Sequence, residues 1–468
     1  MPVPPANPPE PARLLPATTL NQNLAEADMR NSNTIGFWTC TALVVGNVIG
    51  MGIFVLPASL APFGFNALIG WAIVLAGCLV LARVFSHLAR ALPDAEGPYG
   101  YIRRTLGELP AYLALWAYWV SLWLTNAALA TGVVGYMAVV FPPLGTVQPT
   151  LFALGLLWAV VAINLFGVRT GGGVQIVTTA LKLLPMLAIA LLGGWLLLTA
   201  PASYAAHPPT TPVTLGGVMA ASTIALFAML GIESASVPAA RVDDPARTIP
   251  RSTMTGTVLT VIIYIIVSTV PLLLIRQQEL AEASAPFALL MDRFAAAGSG
   301  RALALFVVIS GLGALNGWTL LSGELTRTMA HNGVLPALLA RDNRHGAPAV
   351  ALLVTGALAS VMIAMSYSKS LVAAFTFLTR VVTAANLPLY LCCALALIVL
   401  WRRRSATCAT RRALLAGVTC VLFVVFAFVG IGHEPFLYAL GLIAAGLPLY
   451  ALMRLRRRGT PSTEVMPE

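Results

Sequence analysis

The chain has 468 residues, of which 58% are hydrophobic and only 10% are charged, and its formal net charge is +11. A water-soluble protein of this length needs far more charged surface, so the composition excludes a soluble fold. It also argues against nucleic-acid binding, which requires a soluble basic face. The composition therefore predicts a polytopic protein of the lipid bilayer.

Twelve apolar segments follow a polar, proline-rich stretch at residues 1–34, which we expect to be a disordered cytoplasmic tail. Their length of about 20 residues is typical of membrane-spanning helices rather than of barrel strands. We number them one to twelve; they lie near residues 37–57, 66–91, 109–140, 149–167, 175–198, 215–238, 255–275, 302–330, 348–366, 372–400, 412–431 and 435–453.

The basic residues predict the orientation of the chain. With the N-terminus in the cytoplasm, 23 of the 28 Lys and Arg residues fall in cytoplasmic loops or at helix ends. Clusters at 402–404, 411–412 and 456–458 contribute much of this bias. Under the positive-inside rule, both termini are expected to be cytoplasmic. We also expect the protein to lie in the inner membrane.

Segments one and six carry glycines inside their apolar runs. Segment one contains GNVIGMGIF (residues 46–54), and segment six contains LFAMLGIESASVP (residues 226–238). Glycine is about 1 kcal/mol less favourable than alanine inside a helix, so these glycines predict broken helices. Paired breaks in two five-helix halves are typical of the midplane site of a secondary transporter. The alternative is that the glycines only permit close helix packing.

Three features of these segments suggest chemistry. Amides freed at the start of a half-helix favour an anion such as an amino-acid carboxylate. Glu233, two residues after Gly231, is an ionisable group at mid-depth and could exchange protons. Lys182, in segment five, is one of only two lysines in the chain. Since buried lysine can lose its proton and arginine cannot, Lys182 is a candidate for proton coupling, unless it extends to the cytoplasmic face.

The sequence indicates no enzyme. It contains no nucleophile elbow, phosphate loop or metalloprotease motif. No motif indicates a cofactor or a partner protein. The six cysteines lack metal-ligand spacing and are interpreted as small core residues. They are Cys40, Cys78, Cys392, Cys393, Cys408 and Cys420.

The two interrupted stretches resemble the amino acid–polyamine–organocation superfamily. Supporting stretches are GYIRR (100–104), AYWVSLWLTN (117–126) and GWTLLSGE (317–324). Within the superfamily, the chain is similar to the bacterial basic amino acid/polyamine antiporters, which include the arginine/agmatine exchanger. The likeness extends from about residue 34 to residue 454.

The resemblance implies an all-α fold of about twelve helices, usually assembled as a homodimer. Two inverted five-helix repeats, near 37–198 and 215–400, would form a ten-helix core over 35–400. The remaining parts would be a basic cytoplasmic loop at 401–411, two further helices at 412–453 and a cytoplasmic tail at 454–468.

The resemblance also implies a substrate site between segments one, three, six, eight and ten. Amides around Ile49, Gly50 and Gly52 would hold the substrate carboxylate, and Asn47 would tune binding. By the same resemblance, Asn126 and carbonyl groups near Ser121 and Leu230 would face the polar groups of the substrate. Trp318 would stack on the substrate guanidinium. Tyr118 and Glu233 would belong to the cytoplasmic gate. For Trp318, Tyr118 and Asn126, the alternative is a packing or interhelical hydrogen-bonding role.

Several positions depart from the arginine/agmatine pattern. Met51 stands where that pattern has a serine contacting the carboxylate, and Phe227 replaces a tryptophan while keeping an aromatic face. Arg380, in segment ten, is an added cation that could face the cavity, face Glu233 or extend to the membrane surface. Lys182 resembles the segment-five lysine that takes the place of a sodium ion in proton-coupled permeases.

Two functions of the same superfamily follow. The first is exchange of a cationic amino acid such as arginine for its decarboxylated amine or a related polyamine. The second is proton-coupled amino-acid symport that uses Lys182, Glu233 or both. A membrane receptor or integral enzyme is disfavoured, because the sequence offers neither a soluble sensing domain nor a catalytic constellation.

Overall fold

The computed structural model describes residues 36–92, 95, 97–143, 148–166, 172–231, 245–366, 368–404 and 408–459. The predicted tail at 1–34, Glu233 and residues 460–468 lie outside the described residues, as does the side chain of Asn47. Within these ranges the secondary structure is helical and contains no strand, which confirms the predicted fold class.

Each of the twelve predicted segments coincides with helix. In chain order the helices are Phe37–Val48 and Gly52–Leu60 (segment one), Phe65–Ala91, Glu108–Val140, Pro149–Leu165, Gly172–Thr199, Leu215–Phe227, Pro245–Leu274, Ser299–His331, Ala349–Met365, Leu371–Arg402, Arg411–Gly430, and His433–Ala444 with Gly446–Gly459 (segment twelve). In the described part of the chain, eight helices are long and apolar enough to cross a membrane. The shorter apolar helices belong to segments one, four, six and nine.

The packing of the segments follows the two predicted repeats. The first half of segment one packs on segment seven, and its repeat counterpart, segment six, packs on segment two. Segments three and eight, which occupy equivalent places in the two repeats, pack on each other, as do segments four and nine. Such reciprocal contacts are expected of two five-helix repeats of inverted topology.

Segment three lies at the centre of the bundle and segment twelve at its edge. In segment three, 83% of the most apolar stretch is buried inside the protein, against 11% in segment twelve. Segment three also packs against segments eight and ten along much of its length. The surroundings of segment three are therefore where a buried site is expected.

Segment twelve is interrupted near Gly446, which the sequence did not predict. The indole Nε1 of Trp116 donates to the carbonyl oxygen of Leu442 at 2.9 Å, and the Tyr112 hydroxyl donates to that of Gly446 at 3.0 Å. Side-chain donors that enter the hydrogen-bond ladder in this way bend a helix. The helix also continues to Gly459, beyond the predicted end at residue 453, since basic residues stabilise a helix C-terminus.

Four short helices lie between the segments and were not predicted. They are too short or too polar to stand out in an apolar pattern. They span Gly97–Leu106, Ala202–Ala205, Gln277–Glu282 and Pro286–Phe294.

Candidate functional site

Segment one is broken between its two half-helices, and the break exposes backbone carbonyl groups. The last carbonyls of a helix have no partner within it and need donors from elsewhere. The Lys182 Nζ atom donates to the carbonyl oxygen of Gly46 at 3.2 Å, and the Tyr264 hydroxyl donates to that of Val48 at 3.1 Å. Both side chains are buried. Segments five and seven therefore hold the C-terminal end of the first half-helix.

The second half-helix begins at Gly52 and presents its first amides without a side-chain cap. Amides of the first turn have no acceptor within a helix, and the helix dipole makes this end attractive to anions. The break thus has two different sides. Its carbonyl side is already bound by donors of the protein, and its amide side is available to an anionic group.

A small pocket, a cavity of about 20 Å³, lies beside this amide side. Its walls are mostly apolar and aromatic with a few polar groups, which is the usual lining of a small-molecule site. Residues from segments one, three, six, seven and eight line it: Val48, Gly50, Gly52, Ile53, Thr125, Leu129, Phe227, Ala228, Leu230, Tyr264 and Trp318.

The three central residues of the break face three different directions. At Gly50, a Cβ atom would meet no other atom within 4 Å, because the position faces the pocket. At Gly52, a Cβ would lie 2.9 Å from Cε1 of Phe227, so this glycine permits close packing by segment six. Met51 is fully buried, and its side chain lies against Gly132 and Gly311 of segments three and eight.

The helix Leu215–Phe227 of segment six ends close to the predicted break. The helix stops at Phe227, and Ala228, Met229 and Leu230 continue in a tight turn of i→i+3 hydrogen bonds. Gly231 then adopts a φ of +103°, a conformation that favours glycine over every other residue. Phe227 and Leu230 are thereby placed on the pocket wall opposite segment one.

A polar network lies beside the pocket on segment three. The Thr125 hydroxyl donates to the Ser121 carbonyl at 2.7 Å, and the Ser121 hydroxyl donates to the Tyr118 carbonyl at the same distance. The Asn386 amide of segment ten donates to the Ser121 hydroxyl at 3.3 Å. The Oδ1 atom of buried Asn126 has no hydrogen-bond partner among the described residues.

The structure brings together some of the predicted site residues and not others. Of the predicted substrate-binding residues, Gly50, Gly52, Phe227, Leu230 and Trp318 line the pocket. Ile49, Met51, Ser121 and Asn126 are buried near it without lining it, and Tyr118 and Lys182 contact the residues around it through the bonds given above.

Arg380 places its guanidinium near one end of the bundle. Its guanidinium carbon lies 6.0 Å from the centre of the Phe63 ring, and its Nη1 atom lies close to Gly432. Both neighbours are at the end of the bundle away from residue 37, where segment one finishes and segments eleven and twelve are joined. Arg380 therefore extends toward a membrane surface and does not line the pocket.

Six lining residues were not predicted from the sequence, and two of them, Thr125 and Tyr264, are polar. Segment seven lines the pocket although only segments one, three, six, eight and ten were expected to. Thr125 directly precedes Asn126, and Tyr264 is a polar group at mid-depth in segment seven, which is the signal that could have identified it. Among the described residues, segment ten does not line the pocket, because Phe375 packs behind Phe227 with ring centres 5.9 Å apart.

The described residues offer no cluster of His, Cys, Asp and Glu that could hold a metal ion. All six cysteines lie in the described part of the chain, where none of them forms a disulfide and five are buried. The five buried cysteines belong to the core, and Cys392 is half-buried.

Residues 35–444 match the amino acid permease family. The chain belongs to this family. It is therefore a multi-pass transporter of the amino acid–polyamine–organocation superfamily, as the resemblance predicted.

Curated relatives of this permease transport amino acids or polyamines according to their names. A putative arginine/ornithine antiporter of Bacillus subtilis is 30% identical over 78% of this chain and 83% of its own length. The putrescine transporter PotE of Escherichia coli K12 is 26% identical over 91% and 97%. The cadaverine/lysine antiporter of the same strain is 30% identical over 69% and 73%.

A solved structure supports the fold alone. A point mutant of the manganese transporter of Eremococcus coleocola matches with a TM-score of 0.55 at 14% identity, covering 91% of this chain and 96% of that one.

Proposed function

We propose that this permease exchanges a cationic amino acid, with arginine as the first candidate, for its decarboxylated amine or a related polyamine across the bacterial inner membrane. Both termini would be cytoplasmic. The observation that carries the proposal is the pocket itself, which places uncapped backbone amides of segment one opposite aromatic side chains of segments six and eight.

The amide side of the pocket suits the carboxylate of an amino acid. Gly50 presents backbone there with no side chain in the way, and the second half-helix contributes the positive end of its dipole. Thr125 and Tyr264 already donate their hydroxyl protons to backbone carbonyls, so they remain available as acceptors. Ammonium groups of a substrate would find acceptors there and at Asn126 Oδ1.

The aromatic side suits a cationic side chain. Trp318 and Phe227 both line the pocket, and tryptophan is the strongest cation–π partner among the side chains. The names of the relatives, which include arginine, ornithine, lysine, putrescine and cadaverine, support this class of substrate.

Thermal unfolding of the purified protein across a panel of amino acids and amines tests the proposal. A ligand that binds the native state raises the melting temperature, and the rise grows with the logarithm of the ligand concentration once that exceeds the Kd. We expect arginine, ornithine or lysine and at least one diamine to raise it, with leucine and alanine without effect. A clear shift with neutral amino acids and none with cationic ones would contradict the proposal.

Proton-coupled symport is the second candidate, and the contact between Lys182 and Gly46 favours it. A buried lysine bonded to the broken helix could couple its proton to the position of that helix. Under symport, a pH gradient alone drives uptake into empty vesicles. Under exchange, uptake requires a substrate on the opposite side.

A further inference from the structure

Met51 lies between two glycines that line the pocket, yet its own side chain points into the protein. A Cβ placed on Gly132 would lie 3.1 Å from Met51 Cγ, and one placed on Gly311 would lie 2.8 Å from its sulfur. The Met51 side chain thus fills the space that two missing side chains leave, one on segment three and one on segment eight. We call this space the methionine slot.

The walls of the slot are well packed. Phe375 of segment ten lies 3.3 Å from the Cβ position of Gly132, and Val133 lies 2.7 Å from that of Gly311. Met51 is fully buried. A side chain that fills a close-packed slot resists displacement, because interiors tolerate neither extra volume nor a cavity of methyl size without cost.

Met51 shares its backbone with the amides that border the pocket. Gly50 and Gly52 contribute no side chain that could fix their position, and Gly52 is held from the other side by Phe227. Met51 is therefore the one member of the Gly50–Gly52 triplet whose side chain anchors the break to segments three and eight.

We infer that Met51 is a positioning residue, which holds the broken stretch of segment one against segments three and eight so that its amides face the substrate. This inference rests on the proposed function for the identity of the ligand. It also accounts for the absence of serine at position 51, because the side chain there is directed into the slot.

A double-substitution cycle tests the inference with arginine as the ligand. Gly132→Ala crowds the slot, and Met51→Ala empties it. We expect each single variant to weaken arginine binding at least fivefold and to speed amide hydrogen exchange in residues 50–53. In the double variant Gly132→Ala/Met51→Ala, the new methyl group occupies the emptied space. Its arginine affinity should be no lower than that of the single variant that binds arginine less tightly.

Two further variants at position 51 and one control separate positioning from general loss of folding. Met51→Leu conserves the side-chain volume, so it should retain arginine binding, and amide hydrogen exchange in residues 50–53 should remain slow. Met51→Ser should weaken arginine binding and speed this hydrogen exchange. Gly155→Ala, on segment four, adds a methyl group where no atom lies within 4 Å and should change neither.

Two results would overturn the inference. One is a loss of arginine affinity in the double variant that equals the sum of the losses in the single variants. The other is a rate of amide hydrogen exchange in residues 50–53 that stays unchanged in every variant of the slot. If the wild-type protein binds neither arginine nor a diamine, the proposed function fails. The rate of amide hydrogen exchange in residues 50–53 still decides whether the methionine slot orders the break.

Discussion

The Nζ atom of Lys182 lies 3.2 Å from the carbonyl oxygen of Gly46, and this bond joins segment five to the broken end of segment one. A positive group at a helix C-terminus is favoured by the helix dipole and also satisfies a carbonyl that the helix itself leaves unpaired. The contact therefore gives the buried Lys182 a structural role at the end of the first half-helix.

Replacing Lys182 by methionine should reduce stability without abolishing exchange. A hydrogen bond with a charged donor contributes about 1.5–3 kcal/mol, so the melting temperature should fall. Exchange in preloaded vesicles should persist at a reduced rate. Lys369→Met is the matched control, since the other lysine is partly exposed and lies 3.9 Å from Glu434 at the surface. If wild-type vesicles take up arginine under a pH gradient alone and Lys182→Met abolishes that uptake, symport is the better account.

Gly50→Ala should weaken substrate binding and leave the empty protein as stable as wild type. The added methyl group would meet no protein atom within 4 Å and would occupy pocket volume instead. We expect a loss of roughly tenfold in arginine affinity, about 1.4 kcal/mol, measured by calorimetric titration. Gly194→Ala, on segment five, also meets no atom within 4 Å and serves as the control. Unchanged affinity in Gly50→Ala would place the ligand elsewhere.

Trp318→Leu should discriminate between charged and neutral ligands. A desolvated cation–π contact with tryptophan contributes about 2 kcal/mol, so affinity for arginine should fall roughly thirtyfold. Any residual affinity for citrulline, which has the same shape without the charge, should change far less. Trp318→Phe should give an intermediate loss, and Trp195→Leu, which is 64% exposed on segment five, should give none. Equal losses for both ligands would assign Trp318 to packing alone.

The sequence predicted where the helices around the site are interrupted better than it predicted the side-chain contacts of the site. Glycine in segments one and six pointed to the break in segment one and to the end of the helix at Phe227 in segment six, because helix propensity acts locally and can be inferred from a few residues. The direction of the Met51 side chain was not predictable, since it depends on Gly132 and Gly311, which are remote in sequence. The same applies to Arg380, whose position is decided by Phe63 and Gly432.

Phe227 and Tyr264 illustrate the same division. Phe227 was identified through the resemblance, because the related antiporters carry an aromatic residue at that position. Tyr264 was missed because its role depends on the Val48 carbonyl, which becomes available when segment one breaks. Tertiary hydrogen bonds of this kind leave no periodic signal in the sequence.

The ion pair between Glu279 and Arg293 should give a pH-dependent contribution to stability. Arg293 Nη1 donates to Glu279 Oε2 at 2.9 Å, and this bond lowers the pKa of the Glu279 carboxyl below its ordinary value. A lowered pKa in the folded state means that the stabilisation is present above the pKa of the unfolded chain. It is lost as the pH falls through the folded-state value.

Glu279→Gln should therefore be less stable than wild type at neutral pH, by less than about 1 kcal/mol, and equal to it in strong acid. Melting curves across pH check this. Glu282→Gln is the control, because Glu282 lies on the same short helix and has no ion pair among the residues described. A difference between Glu279→Gln and wild type that stays constant with pH would contradict the assignment.

Uptake of labelled arginine into proteoliposomes tests exchange most directly. Vesicles are prepared empty, preloaded with arginine, or preloaded with a diamine or agmatine, without a pH gradient. We predict rapid uptake only into the preloaded vesicles, with release of one internal substrate molecule for each arginine that enters. Uptake into empty vesicles at the same rate as into preloaded ones would contradict the proposed exchange.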